Sequence, residues 1–289
     1  MKWDTVAIVG VGLIGGSIGL RLRREGLASH VVGIGRNPHS LRRAKRCGAI
    51  STATTDWKKG LANAELVIVC TPVGSIVEHV RRAAEFCAAG ALLTDVGSTK
   101  DAIVQQLDAT LNGSVTFVGS HPLAGSEKTG PEAARPDLFD GKLVVVTPTR
   151  RTKTEAVKRI EQFWRSLGAR VVRKSPAAHD AALAATSHAP HVIASALAAA
   201  TPLACLPFAA SGWCDSTRIA AGDTQLWLEI LLDNREQILQ SLDQFERTLS
   251  AYRTALQHGD AKKLARLWEA GKQHRESVAS SSRTPTNTD

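Results

Sequence analysis

The chain has 289 residues, of which 43% are hydrophobic and 22% charged; this is about twice an ordinary domain of ~150 residues, so two packed domains are expected and disorder is excluded. Five scattered cysteines with no C-x-x-C pair exclude a disulfide framework and a zinc knuckle, and they point to a reducing, cytoplasmic compartment. The net charge of +9 comes with only 4% aromatics, which leaves no stacking platform for single strands. No nucleic-acid partner is expected, and a small anionic substrate or a phosphorylated cofactor accounts for the charge.

In chain order, short β-branched runs alternate with helix-length segments as far as residue 172. Strands are predicted at 5–9, 31–35, 66–70, 92–95, 116–118, 143–146 and 170–172, and helices at 13–25, 75–87, 100–111 and 153–166. This alternation predicts an α/β domain with a parallel sheet covered on both faces. After Lys174 the strand runs stop, and helices are predicted at 177–199, 226–255 and 261–274. The expected division is a dinucleotide-binding domain over 1–173, an all-α domain over 174–278 and a disordered tail over 279–289. Two apolar stretches invite a membrane reading. The run 5–20 carries five glycines, with Asp4 in front, and 181–200 is broken by His188, Pro190 and His191. Neither is read as a signal or a membrane span.

Gly10-Val11-Gly12-Leu13-Ile14-Gly15 is a G-x-G-x-x-G loop placed between a predicted strand and a predicted helix. Gly10 suits the tight turn, Gly12 lets backbone approach a pyrophosphate, and Gly15 lets the helix pack close to the sheet. The context raises an otherwise weak motif to a dinucleotide site, with Leu13 and Ile14 opening the helix. About twenty residues on, an NAD site usually carries an acid for the ribose hydroxyls. Here the chain reads Gly33-Ile34-Gly35-Arg36-Asn37, with Arg42, Arg43, Lys45 and Arg46 following. Arg36 therefore favours the 2′-phosphate of NADP, with NAD also possible. Some of the other basic residues are read as a solvated helix face.

Ligands of doubly wound sheets sit beyond the carboxyl ends of the strands. Three segments leave those ends: Cys70-Thr71-Pro72-Val73, Thr94 to Lys100 with Ser98 inside it, and Gly119 to Glu127 with His121 inside it. Thr71, Pro72 and Ser98 are expected to line the cofactor. His121, on a short rigid loop, is suited to accepting a proton.

Five segments in order, GVGLIGGSIG, DVGSTK, GSHPLAGSEKTG, His179-Asp180 with TSHAPH, and STRIAAGDTQLW, resemble the prephenate/arogenate dehydrogenase family of tyrosine biosynthesis over residues 5 to 275. The resemblance implies a Rossmann-type domain joined to a helical domain that dimerises. It implies oxidative decarboxylation of prephenate or arogenate: hydride leaves the carbinol carbon for the nicotinamide, the hydroxyl loses a proton and carbon dioxide departs as the ring aromatises. It further implies His121 as proton acceptor and Ser98 as hydrogen-bond partner of the same hydroxyl. Arg218 would bind a substrate carboxylate, held or gated by Glu127 and Asp215, with Ser126 beside them. His191 would face the substrate side chain, and His188 would share its helix face in a more structural role. No metal is implied, since the His188/His191 pair lacks a third ligand with convincing spacing. Some family members carry a fused chorismate mutase or a C-terminal ACT domain; the expectation here is a member with neither.

Several residues carry a plainer reading beside these. Arg218 could pair with Asp215, Lys100 with Asp95, and His179-Asp180 could form a helix-start network, while Trp227 packs in the helical core or lines the cleft. The competing functions are a β-hydroxyacid or imine reductase of similar architecture, and a non-catalytic NADP-binding sensor. The SHP and TSHAPH segments speak against the first, and the joint presence of His121, Ser98 and Arg218 against the second.

Overall fold

The computed structural model describes residues 2–111, 113–125 and 128–281. Eight strands form one sheet in the order β3-β2-β1-β4-β5-β6-β7-β8. They are β1 Trp3–Val9, β2 Ala28–Ile34, β3 Thr52–Thr54, β4 Leu66–Val69, β5 Leu92–Asp95, β6 Thr116–Pro122, β7 Leu143–Thr147 and β8 Arg170–Arg173. The first six follow the doubly wound dinucleotide-binding order 3-2-1-4-5-6, whose topological switch point lies between β1 and β4. β3 is an edge strand of three residues, too short to stand out in the sequence.

The sheet departs from the all-parallel expectation at one place. β7 runs antiparallel to β6, pairing Gly119 with Thr147 and His121 with Val145. Every other connection returns through a helix, whereas 123–142 contains only the short 3-10 turn Pro131–Ala133 among its described residues. Without a crossover helix the chain comes back on the next position reversed.

Alternating strand residues feed two cores. Val6 and Ile8 of β1 pack on one face with Ile18 and Leu22 of α1 (Leu13–Arg24) and with Ile160, Phe163 and Trp164 of α6 (Thr154–Ser166). Ala7 and Val9 point the other way, toward Val73, Ile76 and Val80 of α4 (Val73–Phe86) and Ile103 and Leu107 of α5 (Asp101–Thr110). Two further helices, α2 (Pro38–Arg46) and α3 (Trp57–Leu61), start on the side-chain caps of Asn37 and Asp56.

Beyond β8 the described chain is helical. α7 (Pro176–Leu183) begins on the cap of Ser175 and runs through a π turn, Ala184–His188, into α8 (Ala189–Ala200). Pro190 has no N–H to offer a regular ladder, and the Ala189 N–H reaches back five residues to Ala184 O. The predicted helix 177–199 is therefore interrupted where its histidines lie. The predicted helix 226–255 is likewise two: α10 (Thr224–Asp233) and α11 (Arg235–Gln257), separated at Asn234. Between α8 and α10 come α9 (Ser211–Thr217) and two 3-10 turns, of which Arg218–Ala221 packs against α8. α12 (Ala261–Ser281) extends past the predicted helix end, and the rest of the expected tail lies outside the described residues.

By compactness the chain divides into Met1–Ile238 and a unit from Leu239 onward. The second unit holds the rest of α11, the turn at Gly259 and α12, whose first turn is capped by Asp260. No helix of the described residues is long and apolar enough to cross a membrane.

Candidate active site

The glycine loop follows β1. Gly10 has φ +90°, and a Cβ there would stand 2.8 Å from the carbonyl oxygen of Cys70, so only glycine fits the turn. A Cβ on Gly15 would come within 2.3 Å of Gly10 O, which is the close helix-to-strand packing the motif demands. Gly12 differs: a Cβ there meets nothing within 4 Å. Its bareness is not needed by the fold and leaves room for a group approaching from outside. α1 has no side-chain cap, so the N–H groups of Leu13, Ile14 and Gly15 are available at a helix N-terminus, the ready-made place for a pyrophosphate.

The neighbouring strand ends complete the dinucleotide side. Gly35 stands just past β2, where a carboxylate would otherwise sit, and Arg36 follows it exposed, with no ion-pair partner among the described residues. His39, Arg42, Arg43, Lys45 and Arg46 of α2 line an open basic depression, although Arg43 is held by Glu132. Thr71 and Pro72 lie between β4 and α4, and Thr71 Oγ1 is 2.9 Å from His79 Nδ1.

Ser98 lies half-buried in the β5–α5 loop, and His121 sits in β6, the next strand. A buried network ties these two strand ends together. Lys100 is fully buried and pairs with Asp95, so its role here is the ion pair. Asp95 also accepts N–H bonds from Gly97 (2.8 Å) and Ser120 (3.1 Å), and Ser120 Oγ donates to Asp95 O at 2.7 Å.

His121 is 8% exposed, and its Nδ1 is 2.9 Å from His179 Nε2. His179 Nδ1 is in turn 2.7 Å from Asp180 Oδ1. The two oxygens of Asp180 also accept the N–H groups of Lys100 and Asp101, each at 2.8 Å. A helix-start network was one reading of His179-Asp180; the pair does cap a helix, but that helix is α5, and the network continues to His121. Burial first, then electrostatic coupling to His179, Lys100 and His188, holds the His121 imidazole well below its usual range near 6.5.

The helical side supplies the remaining residues. His191 stacks on Trp227 with ring centroids 3.6 Å apart, and its Nδ1 donates to Ser187 O at 2.8 Å. Trp227 does both of the things expected of it, packing partly buried against the core and lining a cavity, helped by Gly222, where a Cβ would strike the indole at 2.4 Å. Together they line a cavity of about 450 Å³ with Ser195, Ile219, Thr224 and Leu231. Arg218 is exposed on the 3-10 turn against α8, near enough that its charge, after burial, helps keep His191 neutral. The alternative ion pair between Arg218 and Asp215 does not form; both are exposed, without a salt bridge among the described residues.

His188 does not share that cleft position. It is buried, and its Nδ1 accepts a 3.0 Å bond from Asn234 Nδ2, which also donates to Asp180 O at 2.9 Å. Burial lowers its pKa to about 4, so it stays neutral and is held inside the fold by Asn234. Both rings lie on the Trp227 side of the helix, His188 edge-on at 6.2 Å and His191 stacked at 3.6 Å, and they differ in that His188 is buried against Asn234. Ser126 and Glu127 lie outside the described residues. Asn234 had no signal in the sequence beyond lying in the polar run Asp233 to Gln237.

Comparison with known proteins bears on this arrangement. The family model described as "Prephenate dehydrogenase, nucleotide-binding domain" matches residues 18–173, and "Prephenate dehydrogenase, dimerization domain" matches 175–270. A prephenate dehydrogenase of Bacillus subtilis is 34% identical over 95% of this chain and 76% of its own length. A cyclohexadienyl dehydrogenase of Zymomonas mobilis is 33% identical over 88% of this chain and 90% of its own. The crystal structure of prephenate dehydrogenase from A. aeolicus, in complex with hydroxyphenyl propionate and NAD+, superposes with a TM-score of 0.89 at 30% identity, covering 96% of this chain and 99% of that one.

Proposed function

The chain belongs to the prephenate dehydrogenase family, and from that premise we propose that it oxidatively decarboxylates prephenate, arogenate or both, giving 4-hydroxyphenylpyruvate or tyrosine. The observation that carries this reading is the state of His121. Its Nδ1 is engaged by His179, while its Nε2 has no hydrogen-bond partner among the described residues, and its strand lies next to β5, which leads into the Ser98 loop.

In this reading the glycine loop and α1 hold the dinucleotide pyrophosphate, and Thr71 and Pro72 line its path. When bound, the dinucleotide supplies the hydride acceptor. His121 accepts the proton of the ring hydroxyl at Nε2 as the carbinol carbon becomes a carbonyl, and Ser98 Oγ shares a hydrogen bond with the same oxygen. The bond to the ring carboxylate then breaks, and its electron pair aromatises the ring. Aromatisation makes the overall step downhill, so a weakly basic imidazole is sufficient provided it is neutral and well placed. Arg218 offers its fork of donors to a substrate carboxylate. His191, neutral and held flat by Trp227, faces the side chain.

Two finer points belong to the same reading. Gly35 and Arg36 favour NADP, since a bare glycine leaves space and a free guanidinium leaves charge for a 2′-phosphate. The working species is a homodimer, in keeping with the description of the family's second segment.

An assay grid tests this: purified protein, NAD or NADP, and prephenate or arogenate, followed by the absorbance of the reduced nicotinamide. Turnover with at least one substrate is expected, faster with NADP. No turnover in any combination, with dinucleotide still bound, would refute the assigned chemistry.

A further inference from the structure

We propose that His179 is a positioning residue: held by Asp180, it fixes the tautomer of His121 so that the bare nitrogen faces the substrate. The inference rests on His121 being the proton acceptor, and it concerns residues that make no contact with substrate themselves.

Asp180 is 3% exposed and receives the backbone N–H groups of Lys100 and Asp101, so its oxygens act as acceptors. The hydrogen shared with His179 therefore sits on His179 Nδ1. A neutral imidazole carries only one, so His179 Nε2 is an acceptor. At 2.9 Å it must be met by an N–H from His121 Nδ1, and the hydrogen of His121 is consumed there. Nε2 of His121 is left as a lone pair. In the opposite tautomer Nε2 would donate, and it could not take the proton from a hydroxyl.

A merely structural role accounts for less. A carboxylate suffices to cap α5, and no imidazole is needed for that. His179 is 1% exposed, so its ring gives up water on every side, and Asp180 and His121 are the hydrogen-bond partners of its two nitrogens. The arrangement is also rigid. His121 is locked in β6 between β5 and β7, while α7 packs on α5. The orientation is thus set before substrate arrives, which is where positioning contributes most.

Two amide substitutions separate the roles. His179→Gln places an amide oxygen near the position of Nε2 and can still accept from His121. His179→Asn reaches only the position of Nδ1, so it keeps a contact with Asp180 and loses His121. The expected result is a kcat within a fewfold of wild type for the glutamine variant and a loss of roughly a hundredfold for the asparagine variant, with cofactor KM unchanged in both. Equal activity of the two variants, whether both high or both low, would overturn the proposal. If neither variant folds, nitrogen-15 NMR of histidine-labelled wild-type protein with dinucleotide bound decides: His121 is expected protonated at Nδ1 and bare at Nε2, and a proton on Nε2 overturns the inference. His121→Asn separates the proposal from its premise. If that variant retains full turnover, the role of His121 itself is wrong; if it is inactive while His179→Asn is unaffected, only the positioning role falls.

Discussion

His188 and His121 are imidazoles buried without a carboxylate of their own, and the pH dependence of stability should register both. The folded pKa of His188 is depressed from 6.5 to about 4, and that of His121 is lowered in the same direction. The unfolded chain binds protons first as the pH falls, so the stability is fully present above about pH 6.5 and drains away between there and pH 4. The His188 shift alone corresponds to about 3 kcal/mol at 1.36 kcal/mol per unit. Tm should therefore drop by several degrees between pH 7 and 4.5. His188→Asn, whose amide oxygen reaches the position of Nδ1 and can still accept from Asn234, should flatten part of that slope. A wild-type Tm that stays level over this range would mean that these rings are not held neutral in the fold. The sequence pointed to His121 because the family pattern surrounds it. It could not separate His188 from His191, because that difference comes from burial against Asn234, distant in sequence.

At the scale of elements, the glycine loop was the most legible feature because its constraints are local. A tight turn and a close helix approach each forbid a side chain at a known offset, and the coordinates place both at the expected glycines. The same local logic makes a sharp prediction. Gly10→Ala puts a Cβ at φ +90° against Cys70 O and should destabilise the whole domain, by about 2 kcal/mol or more. Gly12→Ala meets open space in the protein, so its Tm should stay close to wild type while the dinucleotide KM rises at least tenfold. Thermal melts with and without dinucleotide separate the two. Equal destabilisation by both substitutions would show that Gly12 serves the fold and not the ligand. Less local features were harder to read. The reversal of β7 depends on the missing crossover helix in 123–142, which is a negative signal. The break at Asn234 falls in the polar run Asp233 to Gln237, which an exposed helix turn would also show, and what holds Asn234 is its hydrogen bonds to Asp180 O of α7 and to His188.

For the whole molecule, the question is what covers the apolar residues that the single chain leaves in water. In the first unit Leu203 and Phe208 are 82% and 86% exposed, and Leu228 and Leu232 of α10 are also open. In the second unit Leu249, Leu256 and Trp268 are exposed as well. Single apolar residues scattered over a surface are of no consequence, but large ones recurring along the helices of each unit mark interaction surfaces. The matching family segment is described as a dimerization domain and spans 175–270, which includes all seven. A second copy of this chain is the occupant that fits both facts. Light scattering coupled to size exclusion should give about twice 30.8 kDa at micromolar concentration. Stability should then depend on protein concentration, since dimerisation is linked to folding by mass action. Phe208→Glu or Leu232→Glu should raise the dissociation constant if its site is in the interface, because a carboxylate buried there has no partner. A mass of one chain throughout, with Tm independent of concentration, would leave these leucines without an explanation and refute the dimer.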